Sequence, residues 1–142
     1  MPATVRSVDS QETAAENGRG TNAVDGLPAT HWHTAWSGTA APLPHEIRLD
    51  LGAPRSVSAL TYQPRQDGGA NGRIGRYEVS TSTDDATWSA PVATGGWADD
   101  AGTKRVDFAP VTARYVRLRA LSEAGGRGPW TSAAEIRLLG PS

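Results

Sequence analysis

Histidine, tryptophan, arginine and asparagine occur in this chain in settings that suit contact with a small polar molecule. The segment His31-Trp32-His33-Thr34-Ala35-Trp36 places His33 and Trp36 three residues apart, among turn-forming and small residues unsuited to a core helix. Far downstream come Pro64-Arg65, Asn71-Gly72-Arg73 and Pro129-Trp130. A ring for stacking, an imidazole, a guanidinium and a carboxamide match a polyhydroxylated ligand. An indole packs on the apolar C–H face of a sugar, and polar or charged groups bond its hydroxyl edge. Trp36 or Trp130 is the candidate platform, and His33, Arg65, Asn71 and Glu16 are the candidate edge partners. Each residue also has a plainer role. A lone histidine is usually a surface or satisfied residue, and Arg65 can pair with Asp67 for roughly 0–1 kcal/mol if exposed. Five tryptophans cannot all be ligands; Trp32, Trp88 and Trp97 are expected in the core. The joint occurrence in loops lifts the binding reading. The residues alone take it only to a site for something polar.

Loops so scattered need a scaffold that gathers them, and the dominant sequence period is two. Glu46 to Leu51 alternates polar and apolar and stops at Gly52; Val57 to Tyr62 is an apolar-rich run closed by Pro64. Tyr77 to Thr81, Arg105 to Phe108, Arg114 to Leu121 and Ala134 to Leu138 follow, with Val5 to Glu12 as a weaker opening strand. Alternation with one apolar face marks half-buried antiparallel strands, and no window shows sustained helical spacing. The expected fold is all-β: a β-sandwich jelly roll of about eight antiparallel strands in two sheets. Glu123 to Gly128 is a glycine-rich loop between the last two strands.

With 142 residues the chain reads as one domain, residues 1–142, large enough for a self-sufficient core over about 5–139. Fourteen basic and fifteen acidic residues give a net charge of −1, with no electrostatic reason to expect nucleic acid or an anionic membrane as partner. There is no cysteine, so disulfides and thiolate zinc sites are excluded. No stretch approaches the roughly 20 apolar residues of a membrane span. Met1-Pro2-Ala3-Thr4 lacks the basic and apolar regions of a signal peptide.

A second pattern suggests a cation. Asp25-Gly26-Leu27-Pro28-Ala29-Thr30 is a tight loop with a carboxylate and a hydroxyl five residues apart. Calcium takes six to eight oxygens, many from turn carbonyls, and Glu135 could add a second carboxylate. Asp25 and Thr30 equally suit a turn that they cap through side-chain to backbone bonds. Spacing leaves the two readings open.

Taken in order, these pieces resemble the family 32 carbohydrate-binding modules, within the coagulation factor V/VIII C-type (discoidin) group. The matching stretches are Ala23-Val24-Asp25-Gly26 with Thr30, Trp32 to Trp36, Asp50-Leu51-Gly52, Tyr62 to Arg65, Asn71 to Ile74, Arg114 to Leu118 and Trp130 to Ile136. They span about Val5 to Leu139. The resemblance implies a jelly roll with a structural calcium on Asp25, Thr30 and Glu135 side chains and the carbonyls of Asn22, Leu27 and Ala134. It also implies a galactose-type site. There His33 would contact the axial hydroxyl that distinguishes galactose from glucose, and Arg65 and Asn71 would bond further hydroxyls. Trp130 would stack on the sugar and Trp36 would form a second wall. Glu16, seventeen residues before His33, would accept from the sugar or orient the histidine. The pattern looks most like modules attached to bacterial sialidases and related glycosidases. The implied partners are therefore galactose-terminated glycans and a parent glycosidase domain, in a secreted protein.

Two other function classes compete. Discoidin-type domains that bind phospholipid or protein use apolar loop tips, whereas Asn17-Gly18-Arg19-Gly20 and Asp67-Gly68-Gly69-Ala70 are polar and small. A glycoside hydrolase needs two carboxylates flanking the bond, but Asp84-Asp85 and Asp99-Asp100 read as turn formers. No serine or cysteine nucleophile motif is present. The chain is expected to be a non-catalytic binding module.

Overall fold

Among the described residues eight strands form: β1 (Thr4–Val8), β2 (Trp32–His33), β3 (His45–Gln63), β4 (Arg76–Ser82), β5 (Ala93–Gly96), β6 (Lys104–Ala120), β7 (Ser132–Ala133) and β8 (Glu135–Leu139). The structure, a computed structural model, describes residues 1–141. One antiparallel sheet runs in the order β1-β3-β6-β4-β5, with β8 also on β3, and β2 pairs separately with β7. Among the described residues one 3₁₀ turn, Gly20–Val24, interrupts the loop between β1 and β2.

The two long strands make the sandwich. Early in β3, His45, Ile47, Leu49 and Leu51 point inward in strict alternation, opposite β1 and the end of β6. Gly52 (φ +83°) and the exposed run to Ser56 follow, and the register shifts between Asp50 and Arg55. The later part of β3 then pairs with β8 and with the start of β6. Ile47, Leu49 and Leu51 from the first half meet Val57, Leu60 and Tyr62 from the second in one core, closed by Val79, Leu118, Ile136 and Leu138. Fully burying each such side chain contributes roughly 1.5–3 kcal/mol. The result is an all-β jelly-roll sandwich of eight antiparallel strands.

Gly52, expected to end a strand, instead lies inside β3, and Pro110 lies inside β6. Pro110 falls in the irregularity between the pairs Val57↔Val111 and Ala59↔Asp107, where no ladder N–H is needed. The opening strand stops at Val8 rather than reaching Glu12. Just past it, the Asp9 carboxylate accepts from the Glu46 N–H and bonds the His45 ring. Trp32 is core, at 1% exposure. Trp88 is not: it is half-buried on the outer face, with the guanidinium carbons of Arg48 and Arg117 5.2 and 4.8 Å from its ring. Trp97 packs on the edge of the core, stacked on Tyr77 and Tyr62 at 3.8 and 5.0 Å.

Candidate functional site

The β2–β7 pair anchors the site. His33 lies opposite Ser132, and the pairing continues as the Thr34 N–H donates to the Thr131 carbonyl at 2.9 Å. Thr131 N–H returns a bond to Thr34 Oγ1 at 3.0 Å. On the other side, the Ser132 N–H donates to the Gly72 carbonyl at 2.9 Å and Ser132 Oγ to the Asn71 carbonyl at 2.8 Å. Backbone bonds thus lace together the segments that carry His33, Asn71 and Trp130. Gly72 has φ +92°, and a Cβ there would stand 2.6 Å from Ser132 Oγ and 2.7 Å from its nitrogen. Only glycine permits that approach.

Glu16, His33, Trp36, Arg65, Asn71 and Trp130 together line one open cavity of about 360 Å³. All six sequence-predicted residues are therefore brought to one place. The volume is at the lower end of the roughly 300–1,000 Å³ of small-molecule pockets.

His33 is buried, and its Nδ1 donates to the Thr34 carbonyl at 2.7 Å. That carbonyl can only accept, so the proton is fixed on Nδ1 and Nε2 is left as a lone-pair acceptor. Burial, with Arg65 nearby, pulls its pKa below the ordinary histidine value and keeps the ring neutral at pH 7. Arg65 makes the pair with Asp67 that its sequence position allowed, at 2.8 and 2.6 Å, and still lines the cavity. Asp67 holds Arg65 firmly charged, and Arg65 drives the Asp67 carboxyl well below the usual range. A Cβ on Gly69 would meet the guanidinium carbon at 2.8 Å, so the loop backbone lies flat against Arg65.

The aromatic side is built differently. Trp36 is 41% exposed, and its indole N–H donates to Glu16 Oε1 at 2.9 Å. Glu16 Oε2 lies 3.7 Å from Nε2 of His31, not from His33. Of the two roles expected for Glu16, orienting His33 falls instead to Thr34, while Glu16 holds Trp36 and still lines the cavity from which it could accept from a sugar. Trp130 is half-buried, with Gly128 against its ring: a Cβ there would lie 2.6 Å from Cζ3.

Three residues missed in the sequence hold this arrangement. Glu12 is buried and accepts from the backbone N–H groups of Trp36 and Ser37 at 2.9 and 2.8 Å. Glu123, also buried, accepts from Gly72 N–H at 3.3 Å, Gly125 N–H at 2.6 Å and Arg127 at 3.1 Å. His45 spans Asp9 and the Pro129 carbonyl, at 2.8 and 2.7 Å, next to Trp130. Both partners accept, so both ring nitrogens carry protons. Burial opposes that charge, but Asp9 and Pro129 outweigh it and the pKa is raised.

The loop from Asp25 to Thr30 faces the start of β8. Asp25 Oδ1 accepts from Leu27 N–H at 2.9 Å, and Thr30 Oγ1 donates to both Asp25 Oδ2 and, at 3.1 Å, the Leu27 carbonyl. Glu135 is buried, and its Oε1 has no hydrogen-bond partner among the described residues. Burial and the neighbouring Asp25 carboxylate push the Glu135 pKa up. Two carboxylates facing one another, one with an orphaned oxygen, fit a hard cation. No three His, Asp or Glu side chains converge among the described residues, so carbonyl oxygens would have to complete the shell.

Residues 6–136 match the F5/8 type C domain family. The chain is 44% identical over 137 residues to a sialidase of Micromonospora viridifaciens, covering 96% of this chain and 21% of that protein. It thus spans about a fifth of the length of that enzyme. A CBM32 module from Clostridium perfringens, in complex with GalNAc-β-1,3-galactose, superposes with a TM-score of 0.87 at 31% identity, covering 96% of this chain and 94% of that one. The family 32 module of NanJ from the same organism, in complex with galactose, gives a TM-score of 0.80 at 31% identity, with 96% and 92% covered. The chain belongs to the F5/8 type C domain family and, within it, to the family 32 carbohydrate-binding modules.

Proposed function

We propose that this module binds terminal galactose-type sugars without transforming them and tethers a parent glycoside hydrolase to its glycans. The observation that carries the reading is the polarity of the cavity. The neutral His33 offers an acceptor at Nε2, Arg65 offers donors, and the rings of Trp36 and Trp130 supply apolar surface. An acceptor beside a donor suits adjacent hydroxyls, and His33 takes the axial one. Arg65 and Asn71 bond neighbouring hydroxyls. Trp130 stacks on the C–H face, Trp36 closes the side, and Glu16 holds Trp36 while reaching the sugar edge. The galactose and GalNAc-β-1,3-galactose bound by the two Clostridium perfringens modules support this choice of ligand.

Among the described residues Glu16 is the one carboxylate lining the cavity, whereas glycoside hydrolysis needs a flanking pair. Asp84 caps Ala86 and Thr87, Asp85 pairs with Arg6 and Arg48, Asp99 pairs with Arg73 and Arg127, and Asp100 pairs with Lys104. The polar loops Asn17–Gly20 and Asp67–Ala70 speak against a phospholipid-binding role.

A calcium ion would be held by Asp25, Thr30 and Glu135 with the Asn22, Leu27 and Ala134 carbonyls. It would neutralise the facing carboxylates and tie the first long loop to β8. Glycans as the target and the likeness to a sialidase support secretion of the protein that carries the module.

One sugar ring and about four hydrogen bonds give a Kd near 0.1–1 mM, or about −4 to −5.5 kcal/mol. Such weak binding is useful because linkage to a catalytic domain multiplies it through effective concentration. Calorimetric titration of the calcium-loaded module with galactose, and with glucose as control, tests the reading. Saturable heat with galactose alone is expected; equal responses, or none, would refute it.

A further inference from the structure

We infer that Glu12, which lies behind the cavity and does not line it, is the positioning residue of the site: its carboxylate clamps the Ala14–Glu16 and Trp36–Ser37 loops in the arrangement that presents Trp36 and Glu16 to the sugar. The inference rests on the proposed sugar-binding reading and identifies what holds one wall of that site.

Glu12 is 2% exposed and accepts five hydrogen bonds. Oε2 takes the N–H groups of Ala14 and Ala15, both at 2.9 Å, and the Ser37 hydroxyl at 2.7 Å. Oε1 takes the N–H groups of Trp36 at 2.9 Å and Ser37 at 2.8 Å. One oxygen therefore serves mainly the loop before Glu16, and the other the loop at Trp36. Far from Glu12, the same loops meet again where the Trp36 indole donates to Glu16 Oε1 at 2.9 Å. The bonds close a ring: Glu12 carboxylate, Trp36 backbone, Trp36 indole, Glu16 carboxylate, Ala15 backbone, and back to Glu12. The Glu12 backbone belongs to the scaffold, since its N–H donates to the His33 carbonyl at 2.8 Å and its carbonyl accepts from Gly18 at 2.8 Å. The clamp thus fixes two exposed loops relative to β2, on which His33 rides.

The chemistry demands a carboxylate. All five partners donate, and an ionised carboxylate is an acceptor at every lone pair. Led by the Ala15 N–H and the Ser37 hydroxyl, these bonds hold the Glu12 carboxyl far below the usual range, so the clamp stays charged at any working pH. A glutamine is isosteric but must turn its NH₂ towards either the Ala14–Ala15 pair or the Trp36–Ser37 pair. In both orientations donors face donors and one loop is released.

The test combines two readouts. In a ¹⁵N spectrum without sugar, the Trp36 indole of Glu12→Gln should move towards the position of a solvent-exposed indole. The Trp32 indole, which donates to the Ser10 carbonyl at 2.8 Å, should stay in place and report an intact core. Galactose affinity should fall at least about tenfold, as for other residues that orient direct ligands. If Glu12→Gln does not fold, Ser37→Ala removes one of the five donors and decides the matter. Its Trp36 indole should shift in the same direction, with about a two- to threefold loss of affinity. A folded Glu12→Gln with the wild-type Trp36 indole position and affinity would overturn the inference, as would an unchanged Ser37→Ala. A wild-type module that does not bind galactose would instead refute the proposed ligand, and the indole readout would still judge the clamp.

Discussion

Gly72→Ala should damage both stability and binding, by an amount set by two separate effects. The first is backbone strain: at φ +92° an alanine costs about 1–3 kcal/mol. The second is collision. The new Cβ would lie 2.6 Å from Ser132 Oγ and 2.7 Å from Ser132 N, in β7. Ser132 is fully buried, and its carbonyl accepts from the Tyr62 hydroxyl, so it cannot retreat freely. The Gly72–Ala backbone must move instead, and the bonds from Ser132 N–H to Gly72 and from Ser132 Oγ to Asn71 are lost, at about 1 kcal/mol each. The sum is about 3–5 kcal/mol, which lowers Tm by about 10–15 °C in a domain of this size. Gly68→Ala is the control. Its φ is +88° but nothing lies within 4 Å of its Cβ, so it carries strain alone. Thermal melts of the two variants should differ by about 5 °C or more, and Gly72→Ala alone should weaken galactose binding through Asn71. Equal melting temperatures with unchanged affinity would refute the claim that the Gly72–Ser132 contact holds the site.

His33→Ala and Arg65→Ala should each abolish detectable galactose binding in calorimetry while leaving the fold intact. Chelation should lower Tm by about 5–10 °C if calcium is present at about a hundred times its Kd, and Glu135→Gln should remove that response to EDTA. His45 should make stability fall with rising pH. Because its folded-state pKa is raised, its contribution is complete below the ordinary value of about 6.5 and is lost as pH climbs through the higher folded value. Melts between about pH 6 and pH 8.5 should show that decline, and His45→Gln should flatten it.

The strands were legible because one buried face writes a period of two into the sequence, as at Ile47, Leu49 and Leu51. Their ends were not, because Gly52 and Pro110 act as bends and bulges within a continuing strand rather than as stops. The two-residue strands β2 and β7 carry no period at all, yet they are what brings His33 to Asn71 and Trp130. The residues lining the cavity could be named only from their joint occurrence in loops, since each alone has a plainer role, as the Arg65–Asp67 pair shows. Trp88, expected in the core, lies outside it because arginine stems can cover an indole on the outer face. Glu12 left no trace, since four of its five partners are backbone N–H groups, up to twenty-five positions away. Of the two roles expected for Glu16, accepting from the sugar or orienting His33, distances in the fold give the second to Thr34, while Glu16 holds Trp36 and approaches His31.

The most direct test of the sugar-binding reading is to map the ligand. Galactose titrated into ¹⁵N-labelled, calcium-loaded protein should shift the Trp36 and Trp130 indoles, the His33 ring and the Arg65 side chain together, with one saturating curve, while glucose leaves them in place. Shifts confined to another face of the sandwich, or none at saturating galactose, would contradict it.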